Sequence, residues 1–293
     1  MNKFLQLLNT ENTIILDGAM GTMLIQMGLK PGESPELWND THPENIRIIH
    51  KNYIDAGAQV IVTNSFGGTS YRLNRFNLED QVYPLNLKAA QLAKAEAEQA
   101  SRVVAVGGSI GPLGELIKPY GKIEFDEAKL AFADQAKALA DGGIDVFWIE
   151  TMGDLNELKA AIEGICSVSD LPISATMSFD THGKTMMGVT PAKAVKFLQE
   201  YHVNTMGANC GRGPAELITS IKEMHEAEPQ AKLVAKTNAG LPKMVDQKVV
   251  YDGTPDLMRD YARKVHEAGA KLIGACCGST PAHIEAIYET LRK

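Results

Sequence analysis

The sequence predicts a single (β/α)8 TIM barrel spanning residues 1–293, an α/β fold in one domain. Three observations predict it. Eight short apolar runs recur along the chain, segments of helical period lie between them, and no linker or low-complexity tract interrupts the series. Eight unbroken strand-then-helix units fit a closed barrel better than a doubly wound sheet. The dinucleotide fingerprint G-x-G-x-x-G is also missing after the first run, where DGAMGT stands instead.

The runs are TIILDG (13–18), VIVTNSF (60–66), VVAVGGS (103–109), VFWIET (146–151), ISATMSF (173–179), NTMGANC (204–210), LVAKTN (233–238) and KLIGACC (271–277). They are continuously apolar rather than alternating, which marks strands of a parallel sheet covered on its outside. PLNLKAAQLAKAEAEQA (84–100) and FDEAKLAFADQAKALADGG (125–143) repeat apolar residues at three- and four-residue spacing, as covering helices do. The runs end, in order, on Asp17, Thr63 with Asn64, Ser109, Glu150 with Thr151, Ser178, Asn209 with Cys210, Asn238, and Cys276 with Cys277. A barrel gathers strand ends at one mouth, where its active sites lie. Cys210 therefore meets Cys276 and Cys277 there, across 65 intervening residues.

The composition is that of a soluble globular enzyme, 44% hydrophobic and 22% charged. A formal net charge of −7 with no basic run argues against nucleic acid or an anionic membrane as partner. The opening MNKFLQLLNTENTIILDGAMG carries no export signal, and no stretch reaches the roughly 20 apolar residues of a membrane span. The expected compartment is the cytoplasm, where cysteines stay reduced or bind metal. The partners expected are small-molecule substrates, and self-association into a homo-oligomer stays open.

Three of the four cysteines end strands beside glycine. Three thiolates form a soft ligand set for one Zn2+ per chain and leave a tetrahedral position open, as catalytic zinc requires. Neighbouring residues of an ideal strand face opposite ways, so Gly274 and Gly278 are expected to permit the bend or strand exit that aims both Cys276 and Cys277 inward. Cys166, on a helix, reads as a small buried thiol. His182 and His283 read as surface residues. Lys236 as a Schiff-base lysine would leave the three cysteines unexplained.

GANC followed by GACCGSTPAHI resembles the zinc signature of the homocysteine S-methyltransferases, and the likeness runs from LDGAMGT to the last helix. Within that family, PELWND, TNSFGGTSYRLN, WIETM and SFDTHGKTMMG are most similar to bacterial betaine–homocysteine enzymes. The resemblance implies zinc held by Cys210, Cys276 and Cys277, with the homocysteine sulfur as its fourth ligand. That sulfur takes a methyl group from a small onium donor, glycine betaine first, giving methionine and dimethylglycine. Glu150 joins the cysteines as a catalytic residue. Asp17, Gly18, Glu150, Thr151 and Asn209 surround the amino-acid end of homocysteine.

A quaternary ammonium wants aromatic faces, and only 6% of residues are aromatic. Trp38, Phe66 and Tyr71, with Asn64 and Arg72 for the donor carboxylate, are the candidates. The rival donors are S-methylmethionine, dimethylsulfoniopropionate and a methyl-corrinoid protein. The rival of another class is a barrel whose zinc is structural or redox-sensing. With 16 residues after Cys277, no folate- or cobalamin-binding module is expected in this chain.

Overall fold

The computed structural model describes residues 2–245 and 248–292. Eight parallel strands form the barrel: β1 (Ile14–Ile15), β2 (Val60–Val62), β3 (Ala105–Ile110), β4 (Val146–Met152), β5 (Ile173–Met177), β6 (Thr205–Cys210), β7 (Leu233–Thr237) and β10 (Ala270–Ala275). Their order is β1-β10-β7-β6-β5-β4-β3-β2, and a parallel bridge from Leu16 to Val60 joins the two end strands. The predicted (β/α)8 barrel is what the chain forms. An antiparallel hairpin, β8 (Pro242–Val245) and β9 (Lys248–Tyr251), is inserted after β7.

Most strands are shorter than their apolar runs, β4 alone being one residue longer than its own. β1 covers two residues of 13–18 and β2 three of 60–66. Leu16, Asp17 and Thr63 N–H still reach the Ile273, Val60 and Gly107 carbonyls of neighbouring strands, and the chain leaves the sheet at Ser65, whose N–H turns back to the Thr63 carbonyl at 2.9 Å. The helices expected at 84–100 and 125–143 are α6 (Val82–Gln99) and α7 (Phe125–Asp141). Five helices begin on proline: α4 (Pro43–Asp55), α9 (Pro191–Glu200), α10 (Pro214–Ala227), α11 (Pro255–Glu267) and α12 (Pro281–Leu291). Proline suits a first turn, where its missing N–H would find no intrahelical partner.

Two layers of core follow. One lies between strands and covering helices; the other fills the barrel with Val60, Val62, Val146, Trp148, Val234 and Leu272. The first helix, α1 (Lys3–Thr10), joins the inner layer through Phe4, Leu7 and Leu8 and closes the bottom of the barrel. Asn2 caps it by accepting from Leu5 N–H at 3.0 Å, and its own amide donates to the Asp145 carbonyl at 2.7 Å. With the bottom plugged, substrate access is left to the mouth.

Three expectations are corrected. Cys166 ends α8 (Leu155–Cys166) exposed to solvent, because it lies in the last turn facing away from the strands. His283 is buried, not superficial: its ring bonds Thr280 and the Gly253 carbonyl, tying α12 to the segment before α11. His182 is exposed as expected. Gly274 does not bend the strand. A Cβ there would lie 2.6 Å from Leu16 Cβ, so the glycine serves the close approach of β10 to β1.

Candidate metal centre

β6 delivers Cys210 as its last residue, with φ +57°. β10 stops at Ala275, one residue before the cysteine pair. Cys276 N–H still bonds the Thr237 carbonyl at 2.6 Å, and the chain then turns through Ser279 and through Gly278 at φ +80°. Strand exit, rather than strand pleat, thus aims both cysteines to one side. The sulfurs of Cys210, Cys276 and Cys277 all lie within 4.8 Å of one another, and those of Cys210 and Cys276 are 2.8 Å apart.

Crowding decides their protonation. Hydrogen bonds from the Cys210 and Cys276 thiols, joined by Tyr251 of β9, pull Cys277 down to about 3 despite its burial. Cys210 is raised by donating to its two neighbours and by burial. Cys276 gains from the Cys210 hydrogen bond, but its donation to Cys277, its burial and the Cys277 charge raise it to about 12. One thiolate is stable alone, and a second beside it is not. A divalent cation would remove that penalty. Asn238, just past β7, leaves its buried Oδ1 without a partner. Three sulfurs from two strand ends fit a soft divalent metal.

Asn209 organises the surroundings. Its Oδ1 accepts from Thr151 N–H at 2.8 Å and the Thr176 hydroxyl at 2.7 Å. Its amide donates to Thr151 Oγ1 at 2.7 Å and approaches the Cys210 sulfur at 3.5 Å. Thr151 needs the clamp, because it sits at φ +65° and β-branched residues are strained there. The ladder between β4 and β5 shifts register between Ile149 and Met152, and that irregularity re-aims Glu150 and Thr151. Asn209→Ala is expected to lower stability by about 1–3 kcal/mol, the cost of stranding buried hydrogen-bond partners. A urea midpoint unchanged from wild type would remove the clamp.

Glu150 is buried, and one oxygen accepts from the Ser109 hydroxyl at 2.5 Å. Burial raises its carboxyl to about 7, with the Lys236 charge pulling the other way. Asp17 is committed further: Oδ1 takes the Lys236 ammonium at 2.7 Å and Oδ2 the Val62 N–H at 2.7 Å. Gly18 is packed tightly, since a Cβ there would meet Ser279 Oγ at 2.6 Å and the Tyr53 ring at 2.8 Å. Lys236 as an ion-pair partner and Tyr251 on the hairpin have no local sequence signature. Only the register of β7 and the fold of the hairpin bring them here.

Asn64 and Phe66 lie in the loop that follows β2, and Trp38 belongs to a segment held against that loop by its neighbours Glu36 and Asn39. Asn64 and Asn39 exchange amide hydrogen bonds at 2.8 and 3.1 Å, and Glu36 accepts from Gly67 N–H at 2.7 Å. These bonds dock PELWND onto the loop after β2. Trp38 itself is buried in the core and stacked on His42 at 4.3 Å. Phe66 is half-buried with the Arg72 guanidinium 5.6 Å from its ring centre, and Tyr71 packs at the edge of the core.

A family model described as homocysteine S-methyltransferase matches residues 14–291. The methionine synthase of Mycobacterium tuberculosis is 30% identical, over 95% of this chain and 24% of its own length. That of Mycobacterium leprae is 29% identical over 94% and 24%, so the chain spans about a quarter of these curated relatives. The crystal structure of the homocysteine methyltransferase MmuM from Escherichia coli, metallated form, superposes with a TM-score of 0.83 at 26% identity, covering 100% of both chains. With the model match running from β1 into the last turn of α12, the chain belongs to the homocysteine S-methyltransferase family.

Proposed function

We propose that the protein transfers a methyl group from glycine betaine to the sulfur of L-homocysteine, with one zinc ion per chain, giving methionine and dimethylglycine. The observation that carries the reading is the convergence of three sulfurs at the mouth of the barrel. A zinc ion held by Cys210, Cys276 and Cys277 would supply the Lewis acidity that keeps the homocysteine sulfur deprotonated at neutral pH.

The chain's own residues do the rest. Glu150, with one oxygen held by Ser109, has the other to accept the substrate ammonium, and Asp17 keeps spare lone pairs for it. Gly18, Thr151 and Asn209 shape the same end of the site. Asn209 donates toward the Cys210 sulfur and steadies its lone pair. The homocysteine sulfur attacks the donor methyl carbon in line. A sulfur–carbon bond forms, the carbon–nitrogen bond breaks, and its electron pair leaves on the neutral amine of dimethylglycine. No general acid is required.

Betaine is supported by the corner above β2, where the Arg72 guanidinium, seated over the Phe66 ring, offers a cation to a donor that carries a carboxylate. Asn64 and Tyr71 complete the donor side in this reading.

The test is methionine formation by zinc-loaded protein given homocysteine and, separately, glycine betaine, S-methylmethionine or dimethylsulfoniopropionate. Betaine is expected to support turnover best. Turnover only with another donor overturns betaine, and none with any donor or with a methyl-corrinoid protein overturns the methylation itself.

A further inference from the structure

Lys236 is the only lysine or arginine buried among the described residues, and the chemistry above gives it no task. It stands on β7, in register with Asn209 of β6 and Gly274 of β10, one and two residues before Cys210 and Cys276. Its ammonium lies 2.7 Å from Asp17 and 5.8 Å from the centre of the Trp148 ring, so its position inside the barrel is fixed from two sides. The acidic groups within its electrostatic reach are Asp17, Glu150 and Cys276, which hold it protonated against its burial.

A buried ion pair is an inefficient way to stabilise a core, because the desolvation of both partners offsets most of their attraction. A pair of apolar residues would serve the barrel as well. The mouth, by contrast, has a charge problem. Three cysteine sulfurs, Asp17 and Glu150 are all acidic, and homocysteine brings a carboxylate and a thiol whose proton must leave to solvent, which one substrate ammonium and a zinc dication would offset only in part. We infer that Lys236 is the built-in countercharge that, beside the zinc, lets homocysteine bind as a thiolate. It touches no reacting atom and acts through its charge alone. The inference rests on the homocysteine reading given above.

Methionine supplies the control, since it has the same amino-acid end and a neutral thioether in place of the thiolate. The experiment is calorimetric titration of zinc-loaded full-length protein with L-homocysteine and with L-methionine, in wild type, Lys236→Gln and Lys236→Arg. Gln keeps an N–H for Asp17 and loses the charge; Arg keeps the charge. Lys236→Gln, with zinc content and melting temperature near wild type, is expected to weaken homocysteine binding about tenfold relative to methionine. Lys236→Arg is expected to hold the wild-type ratio.

Equal losses for both amino acids, or no loss, would leave Lys236 a structural ion pair and overturn the inference. Should Lys236→Gln fail to fold or to take up zinc, Lys236→Arg decides: a collapsed homocysteine-to-methionine ratio with the charge retained overturns it, and a preserved ratio supports it. Wild-type protein that binds neither amino acid overturns the homocysteine reading and this inference with it. An unchanged ratio in Lys236→Gln, with wild-type binding intact, overturns the inference alone.

Discussion

Cys277→Ala is expected to leave the barrel folded while removing both metal and turnover. Cys277 is partly exposed, and its backbone carbonyl, which receives Ala239 N–H at 2.9 Å, survives the substitution. The layers that hold the barrel do not include its side chain. Two sulfurs make a poor catalytic site, since three protein ligands are the usual minimum for zinc. Zinc per chain should fall from near one to below about 0.1 after dialysis. Turnover should fall by at least about a thousandfold, beyond the roughly 10–100-fold that follows loss of an outer partner. Elemental analysis, methionine formation and circular dichroism read the three quantities. Wild-type turnover in the variant would take Cys277 out of the chemistry.

Glu150→Gln should move function and stability in opposite directions. Gln can still accept the Ser109 hydroxyl, so the local fold persists, but the anionic partner for a substrate ammonium is gone. The homocysteine KM is expected to rise roughly 10–100-fold with little change in that of the donor, the cost of one charge-assisted contact.

The stability effect follows from burial. The folded carboxyl titrates at about 7 against a reference of 4.5, so the folded state holds the proton more tightly than the unfolded chain. That contribution is fully present below pH 4.5 and is lost as pH rises through about 7. At pH 8 the ionised carboxylate therefore costs the zinc-free fold at most about 3 kcal/mol, which Gln relieves. Melting of zinc-free wild type and variant across pH 4.5–8.5 checks it. A wild-type slope retained in the variant would assign the titration to another group, and an unchanged homocysteine KM would reject the ammonium contact.

Much of this site could be read from the chain because a parallel barrel turns sequence order into position. Once eight apolar runs alternate with helices, the last residue of each run must stand at the same mouth. Strand order alone therefore sets Cys210, Cys276, Cys277, Glu150 and Asn209 at that mouth. The argument weakens wherever a contact depends on something other than a strand end. Trp38 resembled a donor ligand by its motif, yet it is buried and stacked on His42. Cys166 was expected inside and lies outside, since a helical thiol's exposure is set by which way the helix is turned against the sheet.

What the chain determined by itself was the barrel, its mouth and the three sulfurs there, because hydrophobic period and soft-ligand chemistry are local properties of residues. What only the tertiary structure decided was how those groups are balanced. Asp17 is joined to Lys236 across 219 positions, Tyr251 reaches Cys277 from an inserted hairpin, and Thr151 is held at positive φ by an asparagine 58 residues away. Such pairings depend on strand register and on the low dielectric of a closed interior, where a misplaced charge or an unpaired amide is costly. Those constraints arise only once the chain has closed on itself.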